Sequence, residues 1–257
     1  MYRTSLVELL ILIISLSLCL AACTGTEVGN PQDAEVSVEV QGIDRSTSGA
    51  LTLASGVTIE EAWLVVDGIS LRTGQDCDET ISTDYDYINA LELIEGVGYP
   101  GYDMTILPAQ NYCRFIMDLH APESDELPAQ APEELEGHSI FLRGTTPDEI
   151  PFEIRHRESE SLEFHGRFTL YPSTQSLFAI FEVDRWLSPE QLQEATDDES
   201  EALIISEDSH SDLLEDFLED LQDSGILVRD ANDDGVLQDE ELDFPLARGD
   251  ARLIGDD

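Results

Sequence analysis

Lysine is missing. None of the 257 residues is Lys, so all 12 basic side chains are Arg, against 56 acidic ones and a formal net charge of −44. So few cations exclude DNA and RNA as partners, because affinity for nucleic acid rests on cationic contacts that release phosphate counterions. The same shortage excludes docking of the body on anionic lipid headgroups. Cysteine is sparse: Cys19, Cys23, Cys77 and Cys113 are the four, and no two form a Cys-x-x-Cys. The five His make no His-Glu-x-x-His or other metal spacing, and a Gly-x-Ser-x-Gly elbow is lacking. The run Gly96-Val97-Gly98-Tyr99-Pro100-Gly101 matches a dinucleotide-binding glycine pattern. A genuine one must open a helix; here Pro100 interrupts it and strand-like Met104-Thr105-Ile106-Leu107 follows. These gaps point away from an enzyme.

Hydrophobic residues nonetheless make up 41% of the chain, enough for a core, so the acidity does not imply disorder. The one long apolar run, residues 9–20, is short for a bilayer span and has the length of a signal-peptide core. It ends in Leu20-Ala21-Ala22-Cys23, which resembles the lipobox of bacterial lipoproteins. That resemblance implies a leader over residues 1–22 cut before Cys23, acylation of Cys23, and stable membrane anchoring by two or three chains. Thr24 in place of Asp after the cysteine resembles lipoproteins sent to the outer membrane. Residues 23–34 are small, polar and punctuated by Gly and Pro, and read as a tether. With Cys19 lost in the leader and Cys23 lipidated, Cys77 and Cys113 remain in an oxidising compartment, where a disulfide is expected.

Residues 35–185 read as strands. Glu35-Val36-Ser37-Val38-Glu39-Val40 alternates polar and apolar, and 62–71 is a longer, more buried run. Further strands are expected at 112–119, 139–143, 152–155, 162–170 and 177–183, separated by turn residues such as Thr73-Gly74 and Tyr171-Pro172. The fold class expected is mainly β, an antiparallel β-sandwich. Lipobox, tether, strand and the segment Leu107-Pro108-Ala109-Gln110-Asn111-Tyr112-Cys113 together resemble uncharacterised bacterial lipoproteins with a β-sandwich body, which implies no activity. Arg155-His156-Arg157 and Arg167 form the one basic cluster, expected to pair with Glu153, Glu158, Glu160 or Glu163 across strands. A pocket for a carboxylate ligand is the alternative use of that cluster.

From residue 186 to 257 the period changes, and an acidic helical tail is expected. Ser188-Pro189-Glu190-Gln191 has N-cap chemistry, and Leu213, Leu214, Phe217, Leu218 and Leu221 share one helical face. Within it lies Asp230-Ala-Asn232-Asp-Asp234-Gly235-Val236-Leu237-Gln238-Asp-Glu-Glu241. This resembles the calcium loop of an EF-hand at each defining position. The resemblance implies a Ca2+ ion held by the side chains of Asp230, Asn232 and Asp234, the carbonyl of Val236, Gln238 directly or through water, and both oxygens of Glu241. Gly235 permits the sharp turn. Where EF-hands carry an entering helix with Phe and an apolar residue before the loop, this chain has Gly225 and Arg229; Pro245 cuts the exit short, and no second loop is present. An isolated loop with three formal acids is expected to bind at about 10⁻⁵ to 10⁻³ M.

Residues 197–257 hold 22 acids and 3 Arg, so the tail is charged beyond its share. Most of that charge resembles the acidic, lysine-poor surface of salt-adapted proteins, where ions screen the mutual repulsion of carboxylates. The function expected is a calcium-binding, lipid-anchored envelope protein acting as a structural or binding module, its partners being the membrane through its anchor, calcium, and another envelope or extracellular protein or a glycan. The alternatives are an extracellular hydrolase using carboxylates and a sugar- or protein-adhesion module.

Overall fold

Burial alternates with a period of two over residues 33–40, 151–156 and 161–165, as the sequence pattern requires of half-buried strands. The computed structural model describes residues 32–42, 50–101, 104–196 and 202–250. The leader, Cys23 and most of the tether lie outside the described residues. In β1 (Asp33–Gly42), Ala34, Val36, Val38 and Val40 turn inward. Two short strands, β2 (Leu51–Thr52) and β5 (Val97–Tyr99), pair with the long hairpin of β3 (Thr58–Thr73) and β4 (Glu79–Glu92). Then come β6 (Met104–Pro108), β7 (Asn111–Leu119), β8 (Ile140–Thr145), β9 (Pro151–His156), β10 (Ser161–Thr169) and β11 (Thr174–Phe181).

The protein is mainly β, but its pairing departs from the expected antiparallel sandwich. The tail adds β12 (Leu203–Ile205), β13 (Gly225–Arg229) and β14 (Ala247–Gly249). Among the described residues, 14 strands join one continuous sheet; eleven run in the order β12-β9-β8-β3-β7-β10-β14-β13-β11-β1-β6, and β2, β4 and β5 lie off that path through β3 and β4. Two junctions, β1 with β11 and β12 with β9, are parallel. One core unites Val36 and Val40 of β1, Leu64 and Leu71 of β3, Phe115 and Met117 of β7, and Leu177 and Phe181 of β11. Residues from both ends of the path meet there, so the sheet curls around its own interior.

The expected helical tail is corrected most. Helices α1 (Pro189–Ala195), capped by Ser188 accepting from the N–H of Gln191, and α2 (Ser211–Asp223) form where expected. The tail also supplies β12, β13 and β14, the last two lying between β10 and β11. Gly225 thus ends a helix and also begins a central strand, with Ile226, Leu227 and Val228 all buried. A four-residue run flanked by polar residues carries too little pattern to separate a buried strand from a helix end. No helix among the described residues is long and apolar enough to cross a membrane.

The Cys77–Cys113 disulfide forms, with Cα atoms 6.0 Å apart and 36 positions of chain enclosed. Closing a loop of that length contributes about 3–4 kcal/mol in the chain-entropy account. It ties the β3–β4 connection to the start of β7.

Candidate calcium loop

Strand β13 delivers the chain directly to the loop. The N–H of Asp230 bonds to the carbonyl of Ser176 on β11 at 3.0 Å, and Asp230 is buried. Its carboxylate is the hub: Oδ1 accepts from the N–H of Asn232 (3.2 Å) and Asp234 (3.3 Å), and Oδ2 from Gly235 (2.7 Å). Asn232 Oδ1 accepts from Asp234 N–H at 3.1 Å, and Asp234 Oδ1 from Val236 N–H at 2.9 Å. The amides of Asn232 and Gln238 both donate to Asp234 Oδ2 at 3.0 Å. Asp233 and Gly235 take left-handed φ values of 56° and 70°, which wind the chain tightly around these oxygens. Glycine suits the second because its lack of a Cβ makes that region accessible.

Glu241 closes the ring from the other side. It lies in α3 (Asp239–Leu242), buried, with Oε1 accepting from Ala231 N–H at 2.6 Å and Oε2 from Gln238 N–H at 3.0 Å. The last expected ligand is thereby brought back to the first turn of the loop. The arrangement is strand–loop–helix, in place of the two helices that flank an EF-hand loop. Among the described residues, no three His, Cys, Asp or Glu side chains gather as a ready metal cluster. The carboxylates of Asp230, Asp234 and Glu241 instead hold the loop's own N–H groups and amides. The donor set itself, three carboxylates, two amide side chains and a carbonyl within one twelve-residue turn, is all hard oxygen, the ligand chemistry that calcium takes.

The loop also covers apolar surface. Leu237 and Leu242 pack on Phe178, Ile180, Ile226 and Val228, a small cluster separate from the main core. Glu39 on β1 brings a carboxylate oxygen 4.0 Å from where a Cβ on Gly235 would stand. Val236 and Phe244, flanking this cover, remain exposed.

The expected basic cluster is divided by the fold. Arg155 pairs with Glu153 on its own strand, Arg157 with Asp208 at 2.9 Å, and Arg167 lies apart on β10. Of the expected glutamates, Glu153 holds Arg155 and Glu160 lies against His156, whereas Arg157 turns to Asp208 because β12 and the turn after it, 203–209, pack beside β9.

His156, the middle member of that cluster, is buried, which the sequence pattern did not show. Its side chain is 3% exposed, with Glu207 Oε1 2.9 Å from Nδ1 and Glu160 Oε1 3.5 Å from Nε2. Neither contact has good hydrogen-bond geometry, so both are ion pairs made off axis. Burial pulls the imidazole down, but Glu160 and Glu207 outweigh it and hold His156 above its ordinary value. Glu207 is itself buried in part, which pushes it up; the N–H of Arg157 and the charge of His156 prevail and hold it below the carboxylate range. The raised His contributes stability in full below about pH 6.5, and that contribution is lost as pH rises through its folded value. The depressed Glu contributes above about pH 4.3, lost as pH falls through its own folded value. Urea unfolding at about pH 6 and pH 8 is therefore expected to show the wild type losing stability with rising pH, and His156→Gln losing distinctly less. Parallel losses in both would remove the clasp as the cause.

No family model matches the chain, and no curated protein matches it. Among solved structures it is similar to MbnP from Methylosinus trichosporium, at a TM-score of 0.32 and 14% identity, covering 58% of this chain and 75% of that one. A likeness that loose carries no argument about fold or activity.

Proposed function

We propose that the protein is a lipid-anchored envelope protein whose β body is pinned by one calcium ion at residues 230–241, and that it acts as a structural or binding module. The observation that carries the calcium reading is the coincidence of two independent features. The spacing places hard oxygen donors at every defining position of a calcium loop. The backbone of the same twelve residues winds so that Asp230, Asn232 and Asp234 turn inward and Glu241 folds back upon them. Calcium would be held by the side chains of Asp230, Asn232, Asp234, Gln238 and Glu241 with the Val236 carbonyl. It would supply positive charge that offsets the mutual repulsion of two buried carboxylates, Asp230 and Glu241, and the exposed Asp234.

A structural role is favoured by where the loop lies. It covers Phe178, Ile180, Ile226 and Val228 through Leu237 and Leu242, and Asp230 is hydrogen-bonded into the sheet. Fixing the loop therefore fixes an apolar cover. The membrane reading rests on Leu20-Ala21-Ala22-Cys23, with the tether holding the acidic body away from anionic headgroups.

Equilibrium dialysis with radioactive calcium tests the first reading: one ion per chain is expected at millimolar calcium, and none would overturn it. Growth of the producing cell on labelled palmitate tests the second, with label expected on the wild type and absent from Cys23→Ala. Label on neither protein would remove the anchor.

A further inference from the structure

Four basic side chains stand in one row across the sheet. Arg72 on β3 is in register with Arg114 on β7, Arg114 with His165 on β10, and His165 with Arg248 on β14. Directly opposed residues of neighbouring strands share a face. Their chain neighbours Leu71, Phe115, Phe164 and Ala247 are buried in the main core, so the row faces away from it. Strand spacing makes the row about 14 Å long.

A bulge adds a fifth group. The β10–β7 register shifts between His165 and Phe168, inserting Gly166 and Arg167. Gly166 has no room for a side chain, since a Cβ there would sit 2.2 Å from the carbonyl of Leu246. With Phe168 turned into the core, Arg167 is exposed beside the row. Next to it lies a cavity of about 300 Å³, whose polar lining is Arg167, Asn111 and Thr169.

This placement runs against the rest of the molecule. Like charges directly opposed across strands are destabilising, and a guanidinium cannot shed its proton to relieve the strain. The chain has 56 acids to 12 bases, and Arg143, Arg155, Arg157 and Arg185 each hold a carboxylate. On the row, Glu163 pairs with Arg114 at 2.6 Å and lies 3.3 Å from His165, and Asp250 also acts on His165. Asp118, on the same face, is held by the hydroxyls of Ser161 (2.8 Å) and Ser70 (3.1 Å). Arg72, Arg167 and Arg248 make no ion pair among the described residues.

We infer that this face is a binding site for a small oxyanion carrying two or more acid groups, a phosphate or a short polycarboxylate, gripped by Arg167 and Arg248 around His165. Guanidinium forks match such groups bidentately. Size is limited by the acid surround. At physiological salt the screening length is about 8 Å, so a ligand within the row feels mainly the arginines, whereas a long polyanion extends over a body of formal charge −44. Burial and then Arg114 hold the His165 imidazole below its ordinary value, against the opposing pull of Glu163 and Asp250. A bound anion adds negative charge beside the ring and raises it.

The test titrates the mature chain with inorganic phosphate and, separately, with succinate, at constant ionic strength and without added calcium, following heat and the His165 ring signals. Saturable binding of either is expected, with an upward shift of the His165 titration, and identifies which acid chemistry the site takes. Arg167→Gln combined with Arg248→Gln is expected to weaken it at least tenfold, while Arg157→Gln, whose partner is Asp208, leaves it unchanged. Binding of neither anion at millimolar concentration, or equal binding by the double variant, overturns the proposal.

Discussion

Glu241→Gln is expected to weaken calcium binding by at least about tenfold, a loss of about 1.4 kcal/mol, and to abolish most of the calcium-dependent gain in melting temperature. The substitution keeps the shape of the side chain and removes its charge. Glu241 joins the exit helix to the first turn, through the Ala231 and Gln238 N–H groups. A neutral amide presents one oxygen where the carboxylate presents two, so the closing ligand of the loop is halved. Titration calorimetry on both proteins measures the ratio. In a chelating buffer the two should melt within a few degrees of each other, because the bonds at stake there are two N–H contacts of ordinary strength. A large gap in chelator with equal calcium affinity would make Glu241 a helix cap and nothing more.

Phe181→Ala is expected to destabilise the protein by about 3–5 kcal/mol, lowering its melting temperature by roughly 6–20 °C for a domain of this size. Phe181 is fully buried at the end of β11, with its ring 6.0 Å from Phe164 and 6.2 Å from Trp186. Phe164 continues to Phe115 at 5.6 Å, and Trp186 to Phe217 on α2 at 6.1 Å. These edge-on contacts link the centre of the sheet to the helix that covers it. Trp186 is fixed besides by its indole N–H donating to Ser224 Oγ at 2.8 Å, so the cavity left by Ala cannot be filled by a simple shift of the indole. Thermal unfolding followed by tryptophan fluorescence reads both the loss and any exposure of Trp186. A cost below about 1 kcal/mol would show that the ring chain is not a unit of the core.

Residues 35–40, 112–119 and 152–155 became β1, β7 and β9 with small changes at their ends, and the expected strands at 62–71, 139–143, 162–170 and 177–183 became β3, β8, β10 and β11 with shifted bounds. β4 was not legible. Its first half, Glu79-Thr-Ile-Ser-Thr-Asp, offers Ser and Thr to neighbours such as Ser70, and gives no period-two apolar signal. Pairing with β3 makes it a strand, a tertiary cause that local pattern does not hold. β12 and β14 have three residues each, too short to carry a period. For the site, the loop residues 230–241 could be read because a metal loop is a local object with fixed spacing. The His156 clasp could not, since Glu207 comes from 51 positions along the chain. The row Arg72, Arg114, His165 and Arg248 is likewise a product of register, visible only once four strands are in order. The disulfide was legible by elimination, once Cys19 and Cys23 were assigned to the leader and the lipid.

The acid excess now divides into uses. Asp230, Asp234 and Glu241 line one turn, Glu207 and Glu160 flank a buried imidazole, and several others hold single arginines. Glu92 is buried and accepts from the N–H groups of Ala62 and Glu95. Many of the other described carboxylates face solvent.

Thermal unfolding of the protein in chelator and in about 10 mM calcium decides whether calcium stabilises the fold. For a dissociation constant near 10⁻⁴ M, binding to the folded state alone is worth about 2.7 kcal/mol at a hundredfold excess, an upward shift of roughly 5–10 °C. Magnesium at the same concentration should give a distinctly smaller shift, since its octahedral demand suits this loop poorly. Identical melting in chelator and in calcium would contradict the account.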